Sequence, residues 1–447
     1  MLTGDTIVAQ STPYGYAGIG VVRLSGVECL EILKKISNSD KNFQTRVVQK
    51  TKIYRKKTAI DETMVTYFKK PKSFTGEDMV EISCHGNPYI IESIIEECID
   101  NGARTAGPGE FTRRAYTNGK IDLIQAESIA NMISAGSETG LYNAISGLSG
   151  RMSKDIKETS NEITELLSYC EHLLDVSEID IQKDNINYIK EKTTSVTKKI
   201  SKMTENYHTC RVLTYGATIA IAGKTNSGKS TLFNTLIGSN RSIVNKTAGT
   251  TRDYIDAKLS LKGVPVRLID TAGIRKTKNA IEQTGIEKAV EVFKSADLVL
   301  LVKDLTDNVE TQVIDYIDLT KNNIITVFNK VDVFEQELKH ASNNKGVYLS
   351  ALKGRGINVL KKEILSRLNL EKVPSKITGV STPRQYENLT ACLKSLNNIT
   401  RDLIEDLQLE LVCYELDASL QCINDLLGVN TSEKVLNNMF DSFCVGK

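Results

Sequence analysis

Hydrophobic and polar positions change rhythm along the chain. Over residues 1–118, short β-like runs such as Gly18-Ile-Gly-Val-Val-Arg-Leu24 and Met79-Val-Glu-Ile-Ser-Cys84 are separated by turn-forming clusters such as Thr105-Ala-Gly-Pro-Gly109. That texture predicts a small α+β domain. From about Leu123 to Arg211 proline is absent and glycine nearly so after Gly150, while Ile163, Leu166, Leu167, Cys170, Leu173 and Leu174 keep a helical rhythm. The same rhythm returns from about Arg384 to Phe443, through Leu389, Leu393, Leu396, Leu403 and Leu411. Between the helical blocks, Gly216 to Glu371 carries nearly continuous apolar runs: Thr218–Ala222, Val264–Ile269, Leu298–Val302, Ile324–Phe328 and Gly346–Leu349. Helical stretches separate them, predicting a parallel sheet covered on both faces. Two helical blocks around an α/β segment predict an insertion, which is physically easy where chain ends lie close together. The expected division is 1–118, an N-terminal domain; 119–215, a first helical part; 216–371, the inserted domain; and 372–447, a second helical part. The fold class is multidomain α/β plus α-helical.

Composition narrows the class. A length of 447 residues suits two to four domains, and 57 Lys+Arg against 55 Asp+Glu leaves a net charge of +2. With 40% apolar residues this is a globular composition, unlike a disordered chain, a collagen or a histone-like nucleic-acid binder. The longest apolar runs are strand-length, so no membrane span is expected. The segment Met1–Ala9 lacks the marks of a signal or transit peptide. Nine cysteines include no C-x-x-C pair, and His85, His172, His208 and His340 are scattered. Neither a zinc ribbon, a disulfide scaffold nor a histidine metal cluster is expected, and a cytoplasmic location is.

The first strand of the inserted segment runs into Gly223-Lys-Thr-Asn-Ser-Gly-Lys-Ser230 and then an apolar helix from Thr231. This is G-x-x-x-x-G-K-[ST] in its strand–loop–helix setting. Its glycines let backbone N–H groups turn toward phosphates, Lys229 reaches the β/γ-phosphates, and the Ser230 hydroxyl suits magnesium. Asp270-Thr271-Ala272-Gly273 follows a second strand, offering a carboxylate to the magnesium shell and a glycine N–H to the γ-phosphate. Asn329-Lys330-Val331-Asp332 follows another; its carboxylate can accept from guanine N1–H and the exocyclic amine together. Ser350-Ala351-Leu352 follows the last strand, where a backbone N–H can meet the guanine carbonyl. Common order and strand-end placement identify a GTP-specific P-loop NTPase. The polar loop from Asn245 to Asp253 carries threonines that suit magnesium and the γ-phosphate. Ile274 stands where a Ras-like GTPase has its water-positioning glutamine. Glu282 is the best carboxylate to replace it, the alternative being a solvated helix residue.

Longer motifs extend beyond the nucleotide site. Asp5-Thr-Ile-Val-Ala9, Gly18–Arg23, Phe74-Thr-Gly-Glu-Asp-Met-Val-Glu81, Cys84-His-Gly86, Gly107–Ala115, Asn118–Glu127 and the closing Cys444-Val-Gly-Lys447 occur in order. With them the whole chain resembles the MnmE (TrmE) family of tRNA-modifying GTPases. The resemblance implies an N-terminal α+β tetrahydrofolate-binding domain, a helical domain and an inserted Ras-like G domain. It implies a homodimer through the N-terminal domains, with a one-carbon tetrahydrofolate (5,10-methylene or 5-formyl) held by Arg23, Glu81, Lys120 and Lys447. Cations suit the folate's glutamate carboxylates, and a carboxylate suits the pterin donor edge.

The resemblance also implies potassium in place of an arginine finger, ligated by Asn226, Asn245, Thr247 and Thr250. Thr251 would join Ser230 on magnesium, and Glu282 would orient water. The GTP contacts would then comprise Asn226, Ser227, Gly228, Lys229, Ser230 and Thr231; Asn245, Lys246, Thr247, Ala248, Gly249, Thr250 and Thr251; and the three later motifs. The implied activity installs an aminomethyl or carboxymethylaminomethyl group at C5 of the tRNA wobble uridine. It implies a heterotetramer with the FAD-containing MnmG (GidA); FAD would come only through that partner, and GTP hydrolysis would drive conformational change.

Two competing classes are a ribosome-assembly GTPase of the Era or Der type and a regulatory switch without chemistry; neither needs folate. Cys444 is read as packing near the folate or as structural, with a one-carbon nucleophile as the alternative. Lys41, Arg46, Lys50, Lys52, Arg55, Lys56 and Lys57 form a basic run with no acid before Ile60. It is read as a solvated strand face and loop, with tRNA contact as the alternative.

Overall fold

A computed structural model describes residues 4–39, 42–175, 183–238, 255–270, 291–304, 323–333, 345–373, 376–405, 408–429 and 431–446. The chain divides into two compact units. One comprises Met1–Ala130, Gly147–Ile200 and Glu387–Lys447, and the other Asn131–Ser146 with Ser201–Tyr386.

The first unit holds a six-stranded sheet of order β3-β4-β5-β2-β1-β6. Its strands are β1 (Ile7–Gln10), β2 (Ala17–Ser25), β3 (Val48–Arg55), β4 (Thr58–Phe68), β5 (Met79–Gly86) and β6 (Arg104–Thr105). Pairing is antiparallel except between β1 and β6. The helix Cys29–Ser37 buries Cys29, Ile32, Leu33 and Ile36, a one-sided stripe. In the helix Pro88–Asp100, proline opens the first turn, the Asn87 side chain accepts from Tyr89 N, and Ile91, Ile94 and Cys98 are buried. Both stripes pack on Val22, Leu24, Val80, Ile82 and Val65. Those residues alternate along their strands with Arg23, Glu81 and Thr66, so one sheet face is helix-covered and the site residues stand on the other.

Long helices complete this unit. Arg151–Asp175 buries Ile156, Ile163, Leu166 and Cys170 and packs against Leu409–Leu427. The expected rhythm through Leu411 is displaced: Leu411 is exposed, and Leu409, Val412 and Leu416 form the buried stripe. A stripe of Leu409, Val412 and Leu416 advances in steps of three and four, and Leu411 lies off it.

The second unit holds another six-stranded sheet, of order β12-β11-β10-β7-β9-β8. Its strands are β7 (Ala217–Gly223), β8 (Ile255–Leu261), β9 (Val264–Asp270), β10 (Leu298–Asp304), β11 (Ile324–Asn329) and β12 (Val347–Tyr348). Five pair in parallel as expected, while β8 joins antiparallel at one edge. The expected set of runs lacks β8, because Ile-Asp-Ala-Lys-Leu-Ser-Leu alternates instead of running apolar. That alternation marks a strand with one wet face. Strands β9 and β10 lie on opposite sides of β7, so strand order switches direction at the β7 carboxyl end. In open α/β sheets that crevice is where ligands bind.

Among the described residues no helix is long and apolar enough to cross a membrane.

Candidate functional site

At the β7 carboxyl end the chain turns through Lys224–Gly228 into the helix Lys229–Gly238. Asn226 is exposed, with a left-handed φ of 65°. Gly228 also has positive φ, 92°, and an added Cβ there would sit 2.1 Å from Asn329 Nδ2. Only glycine lets that amide approach. Lys229 is buried and its Nζ donates to the Lys224 carbonyl at 2.5 Å. The Ser227 hydroxyl is buried with no protein partner among the described residues. Thr231 is exposed at the start of the helix.

Asp270 closes β9, 1% exposed, and accepts from the Ser230 hydroxyl at 3.0 Å. The two oxygen groups expected at magnesium are therefore neighbours. Asn329 closes β11 and is buried; its Nδ2 donates to Ser227 O at 3.0 Å, while its Oδ1 accepts from Ala351 N at 3.0 Å. One amide thus ties the phosphate loop to the loop after β12. Thr235, on the first helix, adds a second tie by donating to Ala351 O at 2.8 Å.

Lys330 has a left-handed φ of 67° and pairs with Asp304 at 2.7 Å. Val331 is half-buried beside it. The Asp332 carboxyl is held below the usual carboxylate range, first by the Ser350 hydroxyl and further by Lys353, whose Nζ lies 3.7 Å away. It is therefore an anion at neutral pH, as an acceptor for two guanine donors must be. Leu352 is 79% exposed, leaving an apolar side chain at the rim of the same loop. Asn245 to Thr251, Thr271 to Gly273 and Glu282 lie outside the described residues.

In the first unit, Arg23 and Glu81 are direct cross-strand partners on β2 and β5. Both Arg23 Nε and Nη2 donate to Glu81 Oε1, at 3.0 and 2.7 Å. The guanidinium also lies 5.8 and 5.7 Å from the ring centroids of Phe74 and Phe111. Gly446 reaches this pair from the far end of the chain: its carbonyl accepts from Arg23 Nη1 at 3.4 Å and from the Ser11 hydroxyl at 3.1 Å. Gly446 has φ 89°, and an added Cβ would lie 2.1 Å from Gln10 O. Val445 bridges Pro108, and Gly109 N donates to Cys444 O at 3.3 Å. Lys120 lies on the loop that carries Phe74, donating to Pro71 O at 3.0 Å. Lys447 is outside the described residues. Cys444 is exposed, while its carbonyl is docked and accepts from Gly109 N.

Known proteins share this arrangement in sequence. Residues 6–120 match the family description "GTP-binding protein TrmE N-terminus", and residues 123–444 match "MnmE helical domain". The "tRNA modification GTPase MnmE" of Aquifex aeolicus is 38% identical, covering 99% of this chain and 100% of its own. The protein of that name from Fervidobacterium nodosum is also 38% identical, over 100% of this chain and 98% of its own.

The chain belongs to the MnmE family.

MnmE-type motifs outside the nucleotide loops acquire structural roles here. Asp5, Glu77 and Glu110 come from three separate motifs and converge on Arg114, which is 10% exposed at its side chain, at 2.6, 3.0 and 3.2 Å. Arg104 adds bonds to Asp5 and Glu110. Burial pushes the Glu110 carboxyl up, but the Arg104 contact and the Gly107 N–H outweigh it and hold the group below its usual range. Removing Arg114 would leave its buried carboxylate partners short of a cation. No local sequence pattern announces this cluster, since its members are up to 109 residues apart.

Proposed function

We propose that this MnmE-family chain is a potassium-dependent GTPase. With an FAD-containing partner of the MnmG (GidA) kind, it adds an aminomethyl or carboxymethylaminomethyl group at C5 of the tRNA wobble uridine. Residues 216–371 act as the GTPase domain inserted between helical parts 119–215 and 372–447; residues 1–118 bind folate and dimerise. The working location is the cytoplasm, and the working assembly is a heterotetramer.

The observation that carries the nucleotide half is the Asn329 amide, which links the phosphate loop to the base-side loop. Phosphoryl transfer is mostly positioning and electrostatics, so a shared rigid element aligns both ends of GTP. Asp332 accepts from guanine, the Ala351–Leu352 backbone meets its carbonyl, and Lys229 faces the β/γ-phosphates. Ser230 and Asp270 fit magnesium, being hard oxygen donors already side by side, and Thr251 completes the set. Asn226, exposed and carrying an amide oxygen, fits potassium, and Asn245, Thr247 and Thr250 would supply further oxygens. These cations would supply positive charge to the phosphates. Glu282 orients the attacking water.

The folate pair also fits. Arg23 Nε and Nη2 both go to Glu81 Oε1, so Oε2 takes no protein donor among the described residues and is left to accept from a pterin. The bound folate supplies a one-carbon unit. Lys120 and Lys447 attract its glutamate carboxylates. Hydrolysis of GTP drives G-domain rearrangement rather than carbon transfer.

The test is mass spectrometry of wobble nucleosides from cells lacking the gene. C5-aminomethyl-type uridines should disappear and return with the wild-type gene. An unchanged nucleoside profile would overturn the reading.

A further inference from the structure

The chain's net charge of +2 hides a strong local imbalance on the first sheet. Strand β3 is its edge, and Lys50 and Lys52 point outward from it, while Thr51 and Ile53 are buried. At the β3–β4 turn, Arg55, Lys56 and Lys57 are all exposed. At the opposite end of β3, exposed Arg46 donates to Lys72 O at 2.9 Å, drawing its loop onto the one that carries Lys69, Lys70 and Lys72. Of these cations only Lys50, with Glu62 at 2.8 Å, and Arg55, with Glu96 at 2.6 Å, form ion pairs among the described residues, and Lys52 stands opposite the same Glu62 across the strands. The remaining cations face solvent.

Edge protection explains part of this, because lysines on an edge strand discourage pairing with another sheet. It accounts for Lys50 and Lys52. It does not account for Lys56, Lys57, Lys69 and Lys70, which lie beyond the ladder and guard nothing. A row of cations along eight strand residues spans about 26 Å, enough to follow several consecutive phosphates.

Register gives the ribbon a direction. Arg23, Glu81, Thr66 and Val48 are successive cross-strand partners, as are Val21, Ser83, Met64 and Lys50. Cross-strand partners share a face, so Lys50 and Lys52 stand on the same sheet face as the Arg23–Glu81 pair. Three strand spacings of about 4.8 Å and an offset of two or four residues along β3 put them roughly 16–20 Å from Arg23. A polyanion held at the ribbon would lie beside the carbon-donor pair.

We propose that this ribbon is a docking surface for the phosphate backbone of the tRNA in the reading above, on which the inference rests. Lysine point charges spaced along a strand read backbone, so docking should be insensitive to base sequence and strongly dependent on salt.

The test uses the full chain and an unmodified tRNA transcript, with binding followed by fluorescence anisotropy across salt concentrations. One variant changes Lys52, Lys56, Lys57, Lys69 and Lys70 to Gln, and a second changes the same five to Arg. The Gln variant should lose more than about tenfold in affinity, and its log–log salt slope should fall by about 4, near 0.7–0.9 for each phosphate that is no longer neutralised. The Arg variant should keep affinity and slope, which a fold defect would not allow. Wild-type affinity and slope in the Gln variant would overturn the proposal. So would equal loss in both variants, or wild-type binding to phosphatidylserine vesicles without binding to tRNA. Failed docking with intact GTP hydrolysis counts against the ribbon alone; no GTP hydrolysis by the wild type counts against the parent reading.

Discussion

The two sheets assemble their candidate sites by opposite routes. Around β7, β9, β11 and β12 each group sits within a few residues of a strand's carboxyl end, and each loop is a contiguous motif. The Arg23 cluster joins residues 58 and 423 positions apart, and its last piece arrives from the chain's far end. Sites built from backbone loops are written locally, because a loop must carry its own turn chemistry. Sites built from side chains on a sheet face are written in register, which no local window contains.

The sharpest break in that comparison lies on the nucleotide side. If local motifs suffice, removing one amide should silence the cation effect. Hydrolysis should be about 10³-fold faster in potassium than in sodium at matched ionic strength, the low end of what an arginine finger supplies. Asn226→Ala should erase the difference. Equal wild-type rates in both salts, measured by phosphate release, would remove the potassium mechanism.

Asp332→Asn should come next in size. Two charge-assisted hydrogen bonds to guanine are at stake, each worth about 1.5–3 kcal/mol, so preference should move toward xanthosine triphosphate by about 10²-fold. Competition kinetics with both nucleotides decides it, and unchanged GTP preference would reject the assignment.

On the other side, deleting Cys444 to Lys447 should lower tetrahydrofolate affinity by about ten- to a hundredfold, as for one charged hydrogen bond and its scaffold. GTP hydrolysis should stay near wild type. Calorimetry on the truncated chain reads the first and phosphate release the second; intact folate binding would take the C-terminal residues out of the site. Gly446→Ala is a finer version. Left-handed backbone costs a Cβ residue about 1–2 kcal/mol, so folate affinity should fall roughly fivefold or more.

The smallest effect concerns pH. The Asp332 carboxyl is depressed, so it stays ionised above its lowered value and is lost only as pH falls through it. Guanine preference should therefore be flat from pH 8 to pH 5. A decline already at pH 5 would show the carboxyl to be raised rather than lowered.

Much of this is legible in the sequence, and the omissions have physical causes. The parallel strands announce themselves by continuous apolar runs, whereas β8 alternates and escapes a search for such runs. The nucleotide motifs fall at strand ends, but the amide bridge of Asn329 is hidden, since its partners Ser227 and Ala351 come from other loops. Arg23 and Glu81 stand out through resemblance alone; their mutual pairing emerges only when β2 and β5 are aligned. The docking of the tail through the Cys444 carbonyl leaves no local mark, since its partner Gly109 lies far away in the sequence. The basic run reads as a solvated strand and is one, while its continuation to Lys72 depends on two loops meeting in space.

The docking of Gly446 against Gln10 and Ser11 also has a meaning in time. Ser11 and Gly446 are 435 residues apart. At about 5–20 residues per second, the ribosome delivers the second on the order of 20–90 s after the first. The N-terminal sheet can form early, yet the cluster of Arg23, Glu81 and Gly446 stays unfinished until the nucleotide loops have long been synthesised. A nascent chain that has not yet reached Gly446 would hold its nucleotide loops while the Arg23–Glu81 cluster still lacks the Gly446 carbonyl.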